Sequence, residues 1–169
     1  IEPVKGGVHP RFGTQNMILP LTDHQYVEVV TVLEHPAADK APFGQAVRAR
    51  SEAGGGWLGW VVEVPDLAPF EQKLGRPSVL GGRIFPDGRR LDWHQIGVKG
   101  LIADPQLPFM IHFDSADEMH PSQARLTDVR LTGMEIAGSP ERVTDWLGGP
   151  VEDVLRSVDV TWSAPHGTP

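Results

Sequence analysis

Gly13 to Leu33, GTQNMILPLTDHQYVEVVTVL, sets two apolar runs on either side of a short polar turn. Thr14–Leu19 and Tyr26–Leu33 have the β-branched, short-run character of strands, and Thr22-Asp23-His24-Gln25 between them has turn chemistry. The stretch therefore predicts an antiparallel hairpin. Glu28 is the anomaly. A carboxylate flanked by Val27, Val29 and Val30 must face water, find a partner or line a cavity, because burying it unpaired is costly. Period-two alternation puts Tyr26, Glu28, Val30 and Val32 on one face and Val27, Val29, Thr31 and Leu33 on the other. The second face reads as core, and the first carries the charge.

Outward from the hairpin, Ile1–Phe12, with Pro3, Pro10 and Gly6-Gly7, reads as a loop, and Glu34–Pro42 as a surface connection. Phe43–Ala53 is rich in helix formers and is stopped by Gly54-Gly55-Gly56, which is also the best boundary between two halves. Trp57–Val64, WLGWVVEV, reads as an apolar strand. Asp66 offers an N-cap to a helix over Leu67–Leu74. Val79–Phe85 and Arg89–Val98 flank the turn Pro86-Asp87-Gly88, and Pro108–Asp114 is a further strand. The second half is thus β-α-β-β-β, and the first would match it if a strand and a helix preceded Ile1. Beyond an acidic loop, Arg125–Ile136 alternates like a strand, Ser139 caps a helix running to Leu147 with Pro140 at its first position, and Val158–Ser163 closes the chain before a tail.

A chain of 169 residues accommodates one well-packed domain or two small modules sharing a core. Its net charge of -7 argues against nucleic acid as a partner, since phosphate binding needs a basic surface. Arg83, Arg89, Arg90 and Lys99 read as solvent-facing positions of a hairpin. Without cysteine there is no disulfide, thiolate metal site or cysteine nucleophile. No apolar run approaches the roughly 20 residues of a membrane span, so a cytoplasmic protein is the expectation. A serine triad lacks its G-x-S-x-G elbow, and the glycine runs lack the lysine and helix of a phosphate loop.

The segments GGVHPRFGTQN (6–16), QYVEVV (25–30), WVVEVPDL (60–67), PDGRRLDW (86–93), PFMIHF (108–113) and HPS (120–122), in this order, resemble the glyoxalase-like domains of the vicinal oxygen chelate superfamily. The resemblance implies an α+β fold of paired βαβββ modules, curled into a cupped mixed sheet with the site inside. The modules would occupy residues 1–53 and 54–122, the first lacking its N-terminal strand and helix, and residues 123–169 would add a C-terminal β-α-β extension to one compact domain. It also implies a small-molecule ligand. Dimers are common among similar proteins, and an unpaired sheet edge would favour a homodimer. Metal-dependent relatives use four ligands. Carried over, the first precedes Ile1, the second is Glu28, the third falls on Gly59, which has no ligating atom, and the fourth falls on His112.

Two chemistries stay open. Glu28 and His112, joined by His94, would offer oxygen and imidazole ligands to a divalent metal. Without metal, Glu28 is a general base or polar anchor in an apolar pocket, or a carboxylate paired with Arg83 or Arg11. His112 is a pocket acid or base, or a structural histidine. Asn16 shares the cup or fixes Glu28, and Trp93 stacks on a ligand or packs in the core. His9-Pro10-Arg11 and His120-Pro121-Ser122 read as turns of the rim. The expected catalytic pair is Glu28 and His112, with Asn16, Trp93 and His94 binding the ligand. The functions that follow are a lyase, isomerase or dioxygenase working in the cup, or a metal-free sequestering module resembling drug-resistance proteins.

Overall fold

The Gly13–Leu33 stretch folds as the expected hairpin in the computed structural model, which describes residues 2–164. Strands β2 (Thr14–Pro20) and β3 (Tyr26–Val32) pair antiparallel from Thr14 opposite Val32 to Pro20 opposite Tyr26. Asp23 and His24 both take φ of 58° in the connection, the two successive left-handed residues of a tight hairpin turn, and Asp and His tolerate that region better than most side chains. The assignment of the two faces is reversed from expectation. Val30 and Val32, on the face of Glu28, pack against the core, whereas Val29 on the other is 57% exposed.

The segment read as an N-terminal loop contains strand β1 (Val4–His9), hydrogen bonded to β2. Pairing slips from Lys5 opposite Met17 to Val8 opposite Gln15, so β1 carries one extra residue, a bulge at Gly6-Gly7. Both glycines are there to leave space. A Cβ on Gly6 would collide with the Asn16 side-chain amide, and one on Gly7 would lie 2.7 Å from Arg83 Cγ. The sequence feature that suggested a loop is what admits two polar side chains to the interior of the sheet.

Two helices follow, α1 (Pro36–Lys40), where a plain connection was expected, and α2 (Pro42–Glu52), which buries Phe43, Ala46 and Val47. The imidazole of His35 starts α1 by accepting the Ala37 N–H at 3.1 Å. The second unit is β-α-β-β-β as read: β4 (Val61–Glu63), α3 (Ala68–Leu74), β5 (Val79–Ile84), β6 (Arg90–Ile96) and β7 (Phe109–Phe113). Strand β4 is shorter than the apolar run suggested, and Trp57 is exposed. Asp66 accepts the Ala68 N–H at 2.9 Å at the start of α3.

The seven strands form one mixed sheet in the order β3-β2-β1-β5-β6-β7-β4, with β4 parallel to β7. Strands β1 and β5 join the two units at Val8 opposite Ile84. The sheet curls into a half-barrel, an α+β architecture of two related units in which the first contributes β1–β3. Phe12, Phe43, Val47, Leu91, Trp93 and Ile111 fill the concave side. Val62, Leu67, Ile96 and Met110 form a second cluster with Trp146 and Leu147.

The C-terminal β-α-β unit is β8 (Gly133–Ala137), α4 (Pro140–Leu147), a short α5 (Val151–Val154) and β9 (Asp159–Ser163), with β8 and β9 parallel. The expected strand over Arg125–Ile136 is confined to the part that β9 can pair. Ser139 Oγ accepts the Arg142 N–H at 3.3 Å, the predicted cap. Trp146 Nε1 donates to the Pro108 carbonyl at 2.8 Å and ties α4 to the start of β7.

Candidate functional site

Side chains of all seven strands of the sheet converge on a cavity of about 40 Å³ in the cup, enough for a few waters or a very small molecule. The first unit supplies His9, Asn16 and Glu28, and the second supplies Arg83, Trp93 and Gln95. Phe12, Phe43, Phe109 and Phe113 complete largely apolar walls.

Glu28 is held at one oxygen. Asn16 Nδ2 donates to Glu28 Oε1 at 2.7 Å, and Asn16 Oδ1 accepts the Gly7 N–H at 2.9 Å, so the bulge fixes the amide that fixes the carboxylate. Among the described residues Glu28 Oε2 has no hydrogen-bond partner, and the side chain keeps 28% of its surface accessible. Burial raises the Glu28 pKa above the ordinary carboxylate range, while the Asn16 hydrogen bond and the charge of Arg83 oppose the rise. Burial also raises the Tyr26 hydroxyl, with the Glu28 charge adding to it, so the phenol that lines the cup keeps its proton.

The imidazole beside Glu28 is His9. Its Nε2 lies 3.9 Å from Glu28 Oε1, its Nδ1 is hydrogen bonded to Thr14 Oγ1 at 3.0 Å, and Trp93 meets its ring edge-on at 5.7 Å between centroids. Burial, and then the Arg83 charge, push its pKa down to about 4, so His9 is neutral at pH 7.

His112 and His94, expected in the cup, lie on the opposite side of the sheet. On β7, Phe109, Ile111 and Phe113 point into the cup, which sends His112 outward with Met110. His112 Nδ1 donates to the Val64 carbonyl at 3.1 Å. On β6, Leu91, Trp93 and Gln95 face the cavity, and His94 Nδ1 donates to Asp114 Oδ2 at 2.8 Å on the other face. The hydrogen-bonded sheet therefore separates both imidazoles from Glu28. Of the expected residues the structure brings together Glu28, Asn16 and Trp93, and it adds His9, read as a rim turn, and Arg83, read as a solvent-facing position or a partner of Glu28.

A four-ligand metal site does not fit this cup. Among its described lining residues His9 and Glu28 are the imidazole and carboxylate that the four-ligand pattern uses, and the guanidinium of Arg83 sets a positive charge in the same space. At the rim, His24, Glu63 and His120 also approach one another, with Glu63 Oε2 3.0 Å from His24 Nε2 and 3.8 Å from His120 Nε2. Their imidazoles stack at 3.6 Å with planes 13° apart. A metal shared by two such rings would sit about half that separation out of each ring plane, away from the nitrogen lone pairs. The arrangement is an ion pair and a stack rather than a ready coordination site. No sequence pattern unites these three residues, which come from a turn, a strand and a late loop.

The buried imidazoles make stability depend on pH. His120, like His9, is pushed down to about 4, by burial first and then by His24. A histidine whose folded pKa lies below its ordinary value of 6.5 is protonated in the unfolded chain first. Between pH 6.5 and about 4 the unfolded state therefore binds more protons, and stability is lost as the pH falls. His9 alone contributes roughly 3 kcal/mol to that loss at its acid end, and the raised pKa of Glu28 offsets part of it. Urea midpoints should fall from pH 6.5 to 4, and His9→Gln should flatten the slope. An unchanged slope in that variant contradicts the burial of a neutral imidazole.

Two units joined edge to edge into one cupped sheet, with a polar cluster inside, define a protein of the vicinal oxygen chelate type. The chain belongs to the glyoxalase-like domain family, whose model matches residues 1–151, and is thereby placed among small-molecule-binding proteins of that type. A hypothetical protein from Staphylococcus aureus, known from its crystal structure, is similar over 96% of this chain and 76% of that one. The TM-score is 0.63 and the identity 15%, a likeness that shows the fold alone. No curated protein matches the chain. No described helix is long and apolar enough to cross a membrane.

Proposed function

We propose that the cup binds a small carbonyl compound and that Glu28 moves a proton on it, the chemistry of an isomerase or lyase. The observation that carries this reading is a carboxylate that lines a largely apolar cavity, with one oxygen clamped by Asn16 and no hydrogen-bond partner for the other among the described residues. Its raised pKa brings the group toward the range in which a base both exists deprotonated and accepts a proton strongly. Asn16 sets the direction of the carboxylate, and the protonated Tyr26 hydroxyl and neutral His9 supply polar groups beside it. Dioxygenase chemistry, which needs a redox metal or other cofactor, finds no supporting donor set in the cup.

The test is deuterium uptake next to the carbonyl of small aldehydes, ketones and 2-oxo acids incubated with the protein in D2O, followed by proton NMR. Acceleration over buffer for at least one member is expected. Saturable binding throughout the panel without any exchange would instead favour a module that sequesters its ligand.

A further inference from the structure

Arg83 is 3% exposed, yet among the described residues no hydrogen bond leaves its guanidinium and no carboxylate oxygen comes within 4.0 Å of it. Its Nε is buried without a partner. The nearest support is the ring of Phe85, 4.4 Å from Cζ, which covers an aromatic face but satisfies none of the five N–H donors. Glu28 is the natural candidate for a partner, but it stays beyond ion-pair distance and gives Oε1 to Asn16. A buried guanidinium is costly unless its charge and donors are met, and Arg keeps its proton throughout the physiological range.

The side chain reaches into the cup across the join between the two units. Val8 and Ile84 face each other there, and Gly7 and Arg83 precede them on their respective strands. Gly7 carries no side chain, and the stem of Arg83 occupies the space a Cβ would take. The junction is thus built to direct one long cation into the cavity that Glu28 also lines.

We infer that Arg83 anchors the carboxylate of a small anionic ligand, so that the compound bound in the cup is a compact monocarboxylic acid such as a 2-oxo acid. A planar fork of N–H donors matches the two oxygens of a carboxylate, and the cavity of about 40 Å³ favours a group of that size over a larger anion. The neighbouring carboxylate of Glu28 disfavours a doubly charged ligand. This inference rests on the cup being a binding site, as proposed above, and adds the charge of what it holds.

Acetate and pyruvate, with acetamide as the neutral isostere of acetate, separate the two claims. Binding is followed by calorimetry and by the Trp93 indole N–H resonance, assigned with Trp93→Phe. Acetate and pyruvate should bind saturably, with acetamide about tenfold weaker or more, the expected worth of a charge-assisted contact. Arg83→Gln should abolish that preference, and Arg83→Lys should retain part of it. The wild-type comparison stands even if Arg83→Gln fails to fold. Equal binding of acetamide and acetate at the Trp93 resonance would overturn the anchor and leave the cup as a binding site, as would carboxylate binding undiminished in a folded Arg83→Gln. Failure of every probe to move that resonance would overturn both.

Discussion

Glu28→Gln should abolish proton exchange while making the folded protein more stable at pH 7. Gln retains an oxygen that can accept the Asn16 Nδ2–H, so the 2.7 Å contact survives. What it loses is basicity, and removal of a positioned base lowers the rate by roughly 10²–10⁴-fold. The sign of the stability change follows from the raised pKa of Glu28. Above that pKa the folded state holds a carboxylate that would be better solvated in the unfolded chain, and below the ordinary glutamate value of 4.5 both states are protonated. The advantage of Gln is therefore greatest at neutral pH and vanishes as the pH falls toward 4.5. Thermal unfolding at several pH values measures the second effect and deuterium exchange the first. A variant that is less stable at pH 7 would make Glu28 a structural ion rather than a poised base.

Trp93→Ala should have the largest effect on stability. The indole is buried against His9, Phe12 and Phe113, with centroids at 5.7, 6.4 and 6.3 Å, and its Nε1 donates to Gln95 Oε1 at 2.8 Å. Gly81 on the neighbouring strand is a glycine because the indole lies where a Cβ would be. Truncation removes the floor of the cup, strands the Gln95 amide and leaves a cavity that strands on several sides cannot close. A loss of about 3–5 kcal/mol in urea unfolding is expected. A loss below about 1 kcal/mol would indicate a peripheral residue and would remove Trp93 from the core that shapes the site.

The hairpin, the second βαβββ unit and the C-terminal β-α-β unit were legible because their strands, turns and caps carry local signals. Pro86-Asp87-Gly88 and Ser139-Pro140 each declare an element boundary in a few residues. Glu28 was legible as a charge in an apolar run, and Asn16 followed from its place on the paired strand. His9 was hidden because Gly6-Gly7 reads as a loop, although the glycines serve to admit Asn16 and Arg83 beside it. Arg83 was legible only as one possible partner of Glu28 among exposed neighbours, since Arg89 and Arg90 do face solvent and the alternation did not mark Arg83 as the arginine that enters the cup unpaired.

The misplacement of His112 has a different origin. Strand β7 is covered on both faces, by the cup on one and by the Met110 cluster on the other. Such a strand shows no polar alternation to say which face is which. For His94 the alternation was informative, since Trp93 and His94 are adjacent and must point to opposite sides, and the structure puts Trp93 inside.

The most direct test of a poised carboxylate in the cup is a carbon-13 NMR titration of the Glu28 carboxyl, assigned by the resonance lost in Glu28→Gln. The midpoint should lie clearly above the ordinary glutamate value of 4.5. A midpoint at or below it would show a solvated or ion-paired group and contradict the account.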